Sequence, residues 1–176
     1  MRHKLLILGA LGVLALTAAT AAIAGNITAT ATLSGTAGVS LGLPGNPSVS
    51  DTLDGTDQTV TYAPVLSVVD ARGSGGGWNM TISATSFSDG SGHSLAPGSV
   101  SSVAQACHLG SSCTAATNAI GYPLLVNGSA AKFFNAAANT GLGKVDVTPS
   151  VDVSIPGNAF AGTYTSTVTL AVATGP

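Results

Sequence analysis

Residues 145–155 alternate between two kinds of side chain. Valine or isoleucine occupies positions 145, 147, 151, 153 and 155, and aspartate, threonine or serine occupies the even positions between them. A period of two places one kind on each face of an extended strand and does not match the period of a helix. Pro149 falls within the apolar series, and we expect a bulge or an edge position there because proline cannot donate to a strand ladder.

Shorter alternations recur along the chain, separated by turns rich in glycine, proline, serine and asparagine. Residues 27–33, 78–83 and 163–172 alternate mainly apolar residues with polar ones, mostly threonine. Only residues 130–138 suggest a helix, and residues 132–135 within them also fit a strand. Many short strands of unequal length predict an all-β, antiparallel β-sandwich in a single domain. Further predicted strands cover residues 59–69, 100–107 and 120–126, with loops at 41–57 and 88–98.

The first 24 residues have the three parts of a secretory signal peptide. They contain basic residues at positions 2–4, an uncharged apolar run at 5–16 and an Ala-Ile-Ala site at 22–24. We therefore expect residues 1–24 to be removed, leaving a mature domain at 25–176. An uncleaved anchor is the alternative, but the apolar run is too short for a spanning helix, so we expect a mature protein that does not span the membrane.

The charge of the mature chain disfavours nucleic acid as a partner. Removing residues 1–24 leaves three basic residues against seven acidic ones, a net charge of −4. A protein that binds nucleic acid needs a basic surface to neutralise phosphates. The sequence offers no such surface.

The sequence also lacks the motifs of common enzymes. It contains no G-x-S-x-G, H-E-x-x-H or P-loop pattern. His93 and His108 remain after signal removal, and His93 lies in a turn-like Asp-Gly-Ser-Gly-His segment. We expect a protein that is not an enzyme and has no cofactor.

Two small clusters could bind a metal, and each has a simpler interpretation. Cys107 and Cys113 predict a disulfide in an exported protein, with metal binding by both thiols and His108 as the rival. Asp51, Asp54 and Asp57 lie three residues apart. They fit either a calcium loop or ordinary turns capped by carboxylates.

Two segments together resemble the WxL-domain family of bacterial cell-surface proteins. Residues 70–83, DARGSGGGWNMTIS, are similar to its glycine-led tryptophan strand, with methionine where leucine is usual. Residues 153–172, VSIPGNAFAGTYTSTVTLAV, are similar to its closing segment, with Leu170 and Val172 where the second tryptophan and leucine are usual. The resemblance implies an all-β fold, a location at the cell surface or wall, and non-covalent binding to peptidoglycan. The ligand-binding residues that it implies are Trp78, Asn79, Met80, Tyr164, Leu170 and Val172.

Two questions stay open at the level of sequence. Trp78 shares the apolar face of its strand with Met80, so its ring is either part of the core or a platform for a sugar. No lipoprotein cysteine follows the apolar run and no sortase-type signal ends the chain. We therefore expect a secreted protein held by peptidoglycan, another cell-wall glycan or other surface proteins. The alternative is a surface or filament subunit that self-associates through β-edges.

Overall fold

A computed structural model describes residues 28–176. The described residues contain eleven strands and no helix, and the two larger antiparallel sheets form the predicted β-sandwich. No helix long and apolar enough to cross a membrane is found in this part of the chain. The predicted signal peptide lies outside the described residues. The strands are β1 Val39–Gly42, β2 Gln58–Tyr62, β3 Leu66–Asp70, β4 Trp78–Ala84, β5 Phe87–Ser88, β6 Ser94–Leu95, β7 Ser99–Cys107, β8 Leu124–Leu125, β9 Ala131–Ala136, β10 Gly143–Ile155 and β11 Val168–Thr174.

The first sheet is built around β10, the long strand that the alternation predicts. Its order is β1-β3-β10-β7-β8, and β2 also pairs with β10. The first half of β10 pairs with β3 and the second half with β2, so these two strands follow one another along one side of β10. Pro149 lies opposite the break between them, and the register with β7 shifts between Ser150 and Val151. A bulge is therefore present next to the predicted position, but its extra residue, Ser101, belongs to β7, and Pro149 itself pairs with Val103.

The second sheet has the order β11-β4-β9 and packs its apolar face against the first. Alternation determines which side chains point inward, because successive residues of a strand face opposite sides. β5 and β6 form a separate hairpin. The fully buried apolar side chains include Leu66, Val68, Trp78, Met80, Val100, Phe133, Phe134, Ala136, Val145, Val147, Pro149 and Val151.

The suggested helix at residues 130–138 is wrong, and β9 occupies this segment. The register between β4 and β9 moves from Met80–Phe134 to Thr81–Lys132, so Phe133 is an extra residue in a bulge. Phe133 and Phe134 are therefore both buried although they are neighbours in the chain. The bulge removes the two-residue period that marks a strand.

The strand predicted at residues 27–33 is also wrong where the structure describes it. Residues 28–36 form no strand, and the side chain of Leu33 is 95% exposed. Residues 33–176 form one compact unit, which does not include residues 28–32. The strand predicted from residue 163 begins only at Val168.

An ion pair fastens the glycine-rich turn that leads into β4. Arg72 donates from Nη2 to Asp70 Oδ2 at 2.7 Å and to the carbonyl oxygen of Gly77 at 2.6 Å. The hydrogen bond from Arg72 is the main cause that lowers the pKa of Asp70. The carboxylate is buried but charged and paired, which is the condition under which a buried charge is tolerated.

The predicted disulfide is confirmed between Cys107, the last residue of β7, and Cys113. The adjacent His108 bonds through Nδ1 to Asp146 on the outer face of β10, at 2.9 Å. Both sulfurs are committed to the bond, so the rival metal site with His108 is not formed.

Gly73 and Gly77 permit a matched test of how tightly this turn is packed. Their φ angles are 69° and 67°. A Cβ at Gly73 would meet nothing within 4 Å, whereas a Cβ at Gly77 would lie 2.5 Å from the carbonyl oxygen of Ala136. We expect Gly73→Ala to cost about 1–2 kcal/mol through backbone strain, and Gly77→Ala to cost clearly more. Thermal unfolding of both variants measures the two losses of stability. Equal losses would contradict the close contact inferred between position 77 and the carbonyl oxygen of Ala136.

Candidate ligand-binding site

Trp78 belongs to the core of the sandwich. Its side chain is 0% exposed, and its indole Nε1 donates to the carbonyl oxygen of Gly141 at 2.9 Å. The ring centroid lies 5.8 Å from that of Phe134. A Cβ at Gly141 would lie 2.7 Å from Nε1, so only glycine lets the backbone approach the indole this closely. The ring is therefore not available to stack on a sugar in this structure.

Three more of the residues implied by the resemblance take part in strand pairing. Met80 is buried beside Trp78, and Val172 lies opposite it on β11. Asn79 points to the other face of β4, where its Nδ2 donates to the carbonyl oxygen of Gly175 at 2.8 Å. The structure thus places Trp78, Asn79, Met80 and Val172 at the junction of β4 with β11.

Tyr164 lines an open cleft of about 1200 Å³, and Leu170, which lies opposite Ile82 in the pairing of β11 with β4, also contributes to this cleft. One wall is the segment of residues 43–53 and the other is the segment of residues 159–167. The floor consists of inward-facing side chains of β2, β3, β10 and β11. The floor residues are Val60, Tyr62, Leu66, Val153, Ile155, Val168 and Leu170.

The cleft exists because one side of the sandwich is incompletely covered. β1 pairs with β3 and ends at Gly42, before it reaches β2. The chain then continues through Pro44 and Pro47, which cannot donate to a ladder. No backbone-to-backbone hydrogen bond joins residues 43–53 to the rest of residues 28–176. The side chains of the floor that belong to β2 and β11 consequently remain only half-buried.

The rim of the cleft carries an aromatic side chain presented to solvent. Phe160 is 62% exposed, and its ring stacks on that of His93 with the centroids 3.9 Å apart. His93 Nδ1 bonds to Asp89, and this hydrogen bond is the main cause that lowers the pKa of the Asp89 carboxyl. The hairpin of β5 and β6 therefore holds the Phe160 ring from behind.

The same hairpin anchors the chain beyond Phe160. Ser88 and Thr165 exchange two backbone hydrogen bonds, each of 2.9 Å. The hydroxyl of Tyr164 donates to the carbonyl oxygen of Phe160 at 3.0 Å. These bonds fix the loop that carries both rings, so the aromatic rim is preorganised.

The described residues assemble no reactive or metal-binding cluster. Each histidine pairs with an aspartate, His93 with Asp89 and His108 with Asp146, and neither bonds to a serine side chain. No three potential ligands among residues 28–176 converge on a metal position.

The three aspartates of the possible calcium loop instead accept separate backbone hydrogen bonds, from Thr52, Thr56 and Gly157. Asp54 also accepts a bond from the hydroxyl of Thr56, which is the main cause that lowers its pKa. The cleft is an apolar, aromatic surface whose only charged lining residue is Asp51.

The sequence predicted a loop at residues 41–57, but it did not indicate that residues 43–53 form a wall of a cleft or that Phe160 lies at its rim. The two prolines at 44 and 47 were a usable signal, since they prevent β1 from continuing along the sheet. The stacking of Phe160 on His93 joins residues 67 positions apart, and no sequence pattern indicates it.

Comparison with known families agrees with the resemblance carried by residues 70–83 and 153–172. A family model described as "WxL domain surface cell wall-binding" matches residues 21–176, which is nearly the whole chain. No curated protein and no solved structure matches the chain.

The position of the single tryptophan predicts its fluorescence. We expect the emission of Trp78 to be blue-shifted and resistant to quenching by acrylamide in the folded protein, because water does not reach the ring. Addition of solubilised cell-wall fragments should leave both properties unchanged. A red-shifted emission or a change in quenching on addition of the fragments would show that the ring is accessible to ligand.

Proposed function

We propose that this chain, which belongs to the WxL family of surface cell-wall-binding domains, is a secreted, non-catalytic protein. It would bind cell-wall peptidoglycan non-covalently. The site that we assign to this binding is the cleft, with Phe160 and Tyr164 at its rim. Among the six residues implied by the resemblance, Tyr164 and Leu170 would then contribute to binding. The other four would act by holding β4 and β11 together.

The exposed, preorganised ring of Phe160 is the observation that carries this assignment. Peptidoglycan combines sugar rings, which have apolar C–H faces, with short peptides that contain small apolar residues. Binding sites generally present apolar and aromatic surface with a few fixed polar groups. The cleft provides this combination, since backbone groups of residues 43–53 that make no backbone-to-backbone hydrogen bond lie beside aromatic rings.

The net charge of the mature chain favours binding through apolar surface and hydrogen bonds over binding through opposite charges. The expected mature chain carries a net charge of −4, so anionic wall polymers would not attract it. Binding through apolar surface and short-range hydrogen bonds is little affected by salt, whereas attraction between exposed charges is screened.

Export through the signal peptide at residues 1–24 would place the protein at the cell surface. Cleavage after Ala24 would release a domain that starts at Gly25. Peptidoglycan, and other surface proteins as further partners, would then retain it at the wall.

Binding to purified, insoluble peptidoglycan by co-sedimentation tests the proposal. We expect the folded wild-type protein to sediment with the wall at low and high salt and to leave the glycan uncleaved. We expect Phe160→Ala to weaken binding about tenfold, which corresponds to about 1.4 kcal/mol.

Leu109→Ala is the matched control, because this side chain is 95% exposed and lies outside the cleft. Its binding should equal that of the wild type, and melting curves should show that both variants are folded. If the folded wild-type protein stays in the supernatant at both salt concentrations, peptidoglycan is not its ligand. If Phe160→Ala binds as tightly as the wild type, the cleft is not the site.

A structural surface subunit is the second candidate function, and the outer edge of β2 favours it. This edge pairs with no strand among residues 28–176, and an unpaired edge can accept a strand from another chain.

A further inference from the structure

We propose that the outer edge of β2 receives residues 27–33 of a second copy of this chain as an added strand. The proposal rests on the second candidate function, a self-associating surface subunit, and names the segment that would make the contact. It does not require binding to the wall, and the added strand would cover floor residues of the cleft, so the two contacts would compete for this surface. The donor is a segment with the sequence pattern of a strand, and its described part, residues 28–33, forms no strand. The acceptor is a strand edge beside an incompletely covered part of the core.

The acceptor edge is open along the full length of β2. β2 pairs only with β10, and none of its five residues makes another backbone hydrogen bond to the described residues. In a sheet, such an edge leaves N–H and C=O groups directed outward in the plane of the sheet. β3 lies on the same side of β10 as β2, and its outer edge is already paired with β1.

The apolar side chains of the core next to the β2 edge are partly exposed to solvent. Val60 and Tyr62 of β2 and Leu170 of β11 point inward but remain half-buried. By contrast, Leu66 and Val68 of β3, which lies behind β1, are 0% exposed. A further strand next to β2 would extend the cover that β1 gives to β3 and would bury this apolar surface.

The chain that follows β1 does not provide that strand. Residues 43–53 are all exposed, and Pro44 and Pro47 remove two of their potential donors. Gln58 at the start of β2 holds this segment by one side-chain bond to the carbonyl oxygen of Thr52, at 3.0 Å. The Oε1 atom of the same Gln58 is buried without a hydrogen-bond partner among the described residues.

Residues 27–33 have the chemistry that the open edge requires. Ile27, Ala29, Ala31 and Leu33 would form one apolar face, and the threonines between them would form the other. The alternation matches that of β2, in which Val60 and Tyr62 face inward and Thr59 and Thr61 face outward. Seven residues exceed the five of β2, so the full edge can be paired.

Charge does not oppose this pairing. Residues 26–50 contain no charged side chain, and Asp51 is the single charged residue that lines the cleft. Protein edges that avoid association commonly carry lysine, proline or another charge. Neither β2 nor residues 27–33 contain lysine, proline or a charged residue.

Each copy would give one strand and receive one. Such a contact joins two different surfaces, so it generates either a closed ring or an open chain of copies. Main-chain hydrogen bonds would supply most of the affinity, and the alternating apolar side chains would fix the register.

Sedimentation of the exported chain, expected to start at Gly25, tests the proposal. We expect the weight-average mass of the wild type to rise with concentration between about 1 µM and about 1 mM, and Ala31→Pro to remain monomeric. Proline at position 31 removes a ladder donor. Position 31 is exposed, makes no backbone hydrogen bond to another of residues 28–176 and lies outside the compact unit of residues 33–176, so we expect that unit to stay folded. Ala31→Val is the matched control, because valine favours strands and should associate at least as strongly as alanine.

A labelled peptide of residues 26–34 tests the acceptor without altering the protein. We expect it to bind the Ala31→Pro protein, whose β2 edge stays open, and to bind at least tenfold more tightly than the same peptide carrying Ala31→Pro. Phe160→Ala protein should associate like the wild type, because it alters the rim and not the β2 edge. A wild type that is monomeric throughout the range, an Ala31→Pro variant that associates equally, or equal binding of both peptides would overturn the proposal.

Discussion

The close approach of backbone to the indole of Trp78 determines how the second sheet is built. The indole N–H must be satisfied because it is buried, and the carbonyl oxygen of Gly141 provides that partner. Two glycines make the approach possible, Gly141 beside the ring and Gly77 beside Ala136 at the start of β4. The pair of Asp70 and Arg72 then fixes the turn that enters the strand. The buried indole, its hydrogen bond and the crowded glycines give the glycine-led tryptophan segment a structural role in the fold.

The tryptophan segment by which the chain resembles the family is therefore distinct from the exposed surface to which we assign binding. The WxL match indicates a cell-wall-binding domain, but the tryptophan that marks it is inaccessible. The cleft arises from a different constraint, because β1 ends at Gly42 and, among residues 28–176, no strand pairs with the outer edge of β2. An open side of a sandwich presents apolar side chains and unpaired backbone groups together. Both proposals use this side, the rim for the wall and the β2 edge for a second copy.

The sequence was most informative where alternation is unbroken. The strands β10 and β4 were predicted because one face of each is buried. β9 was left open between a strand at residues 132–135 and a helix at residues 130–138, since the bulge at Phe133 buries two adjacent residues and hides the period. The prediction for residues 27–33 was wrong for the opposite reason. The strand pattern is present there, but a pattern does not ensure that a partner edge is available. The cleft could not be predicted, since Phe160 and His93 meet only through the folding of the hairpin of β5 and β6.

The central claim is that Trp78 supports the fold while the cleft contacts the wall. Its most direct test is nuclear magnetic resonance of the ¹⁵N-labelled protein titrated with soluble muropeptides. The single indole gives one Nε1–H signal, and its hydrogen bond to Gly141 should make that signal slow to exchange with solvent. The account predicts that amide signals of residues 159–165 shift on titration while the indole signal does not. A shift of the indole signal with no change at residues 159–165 would contradict it.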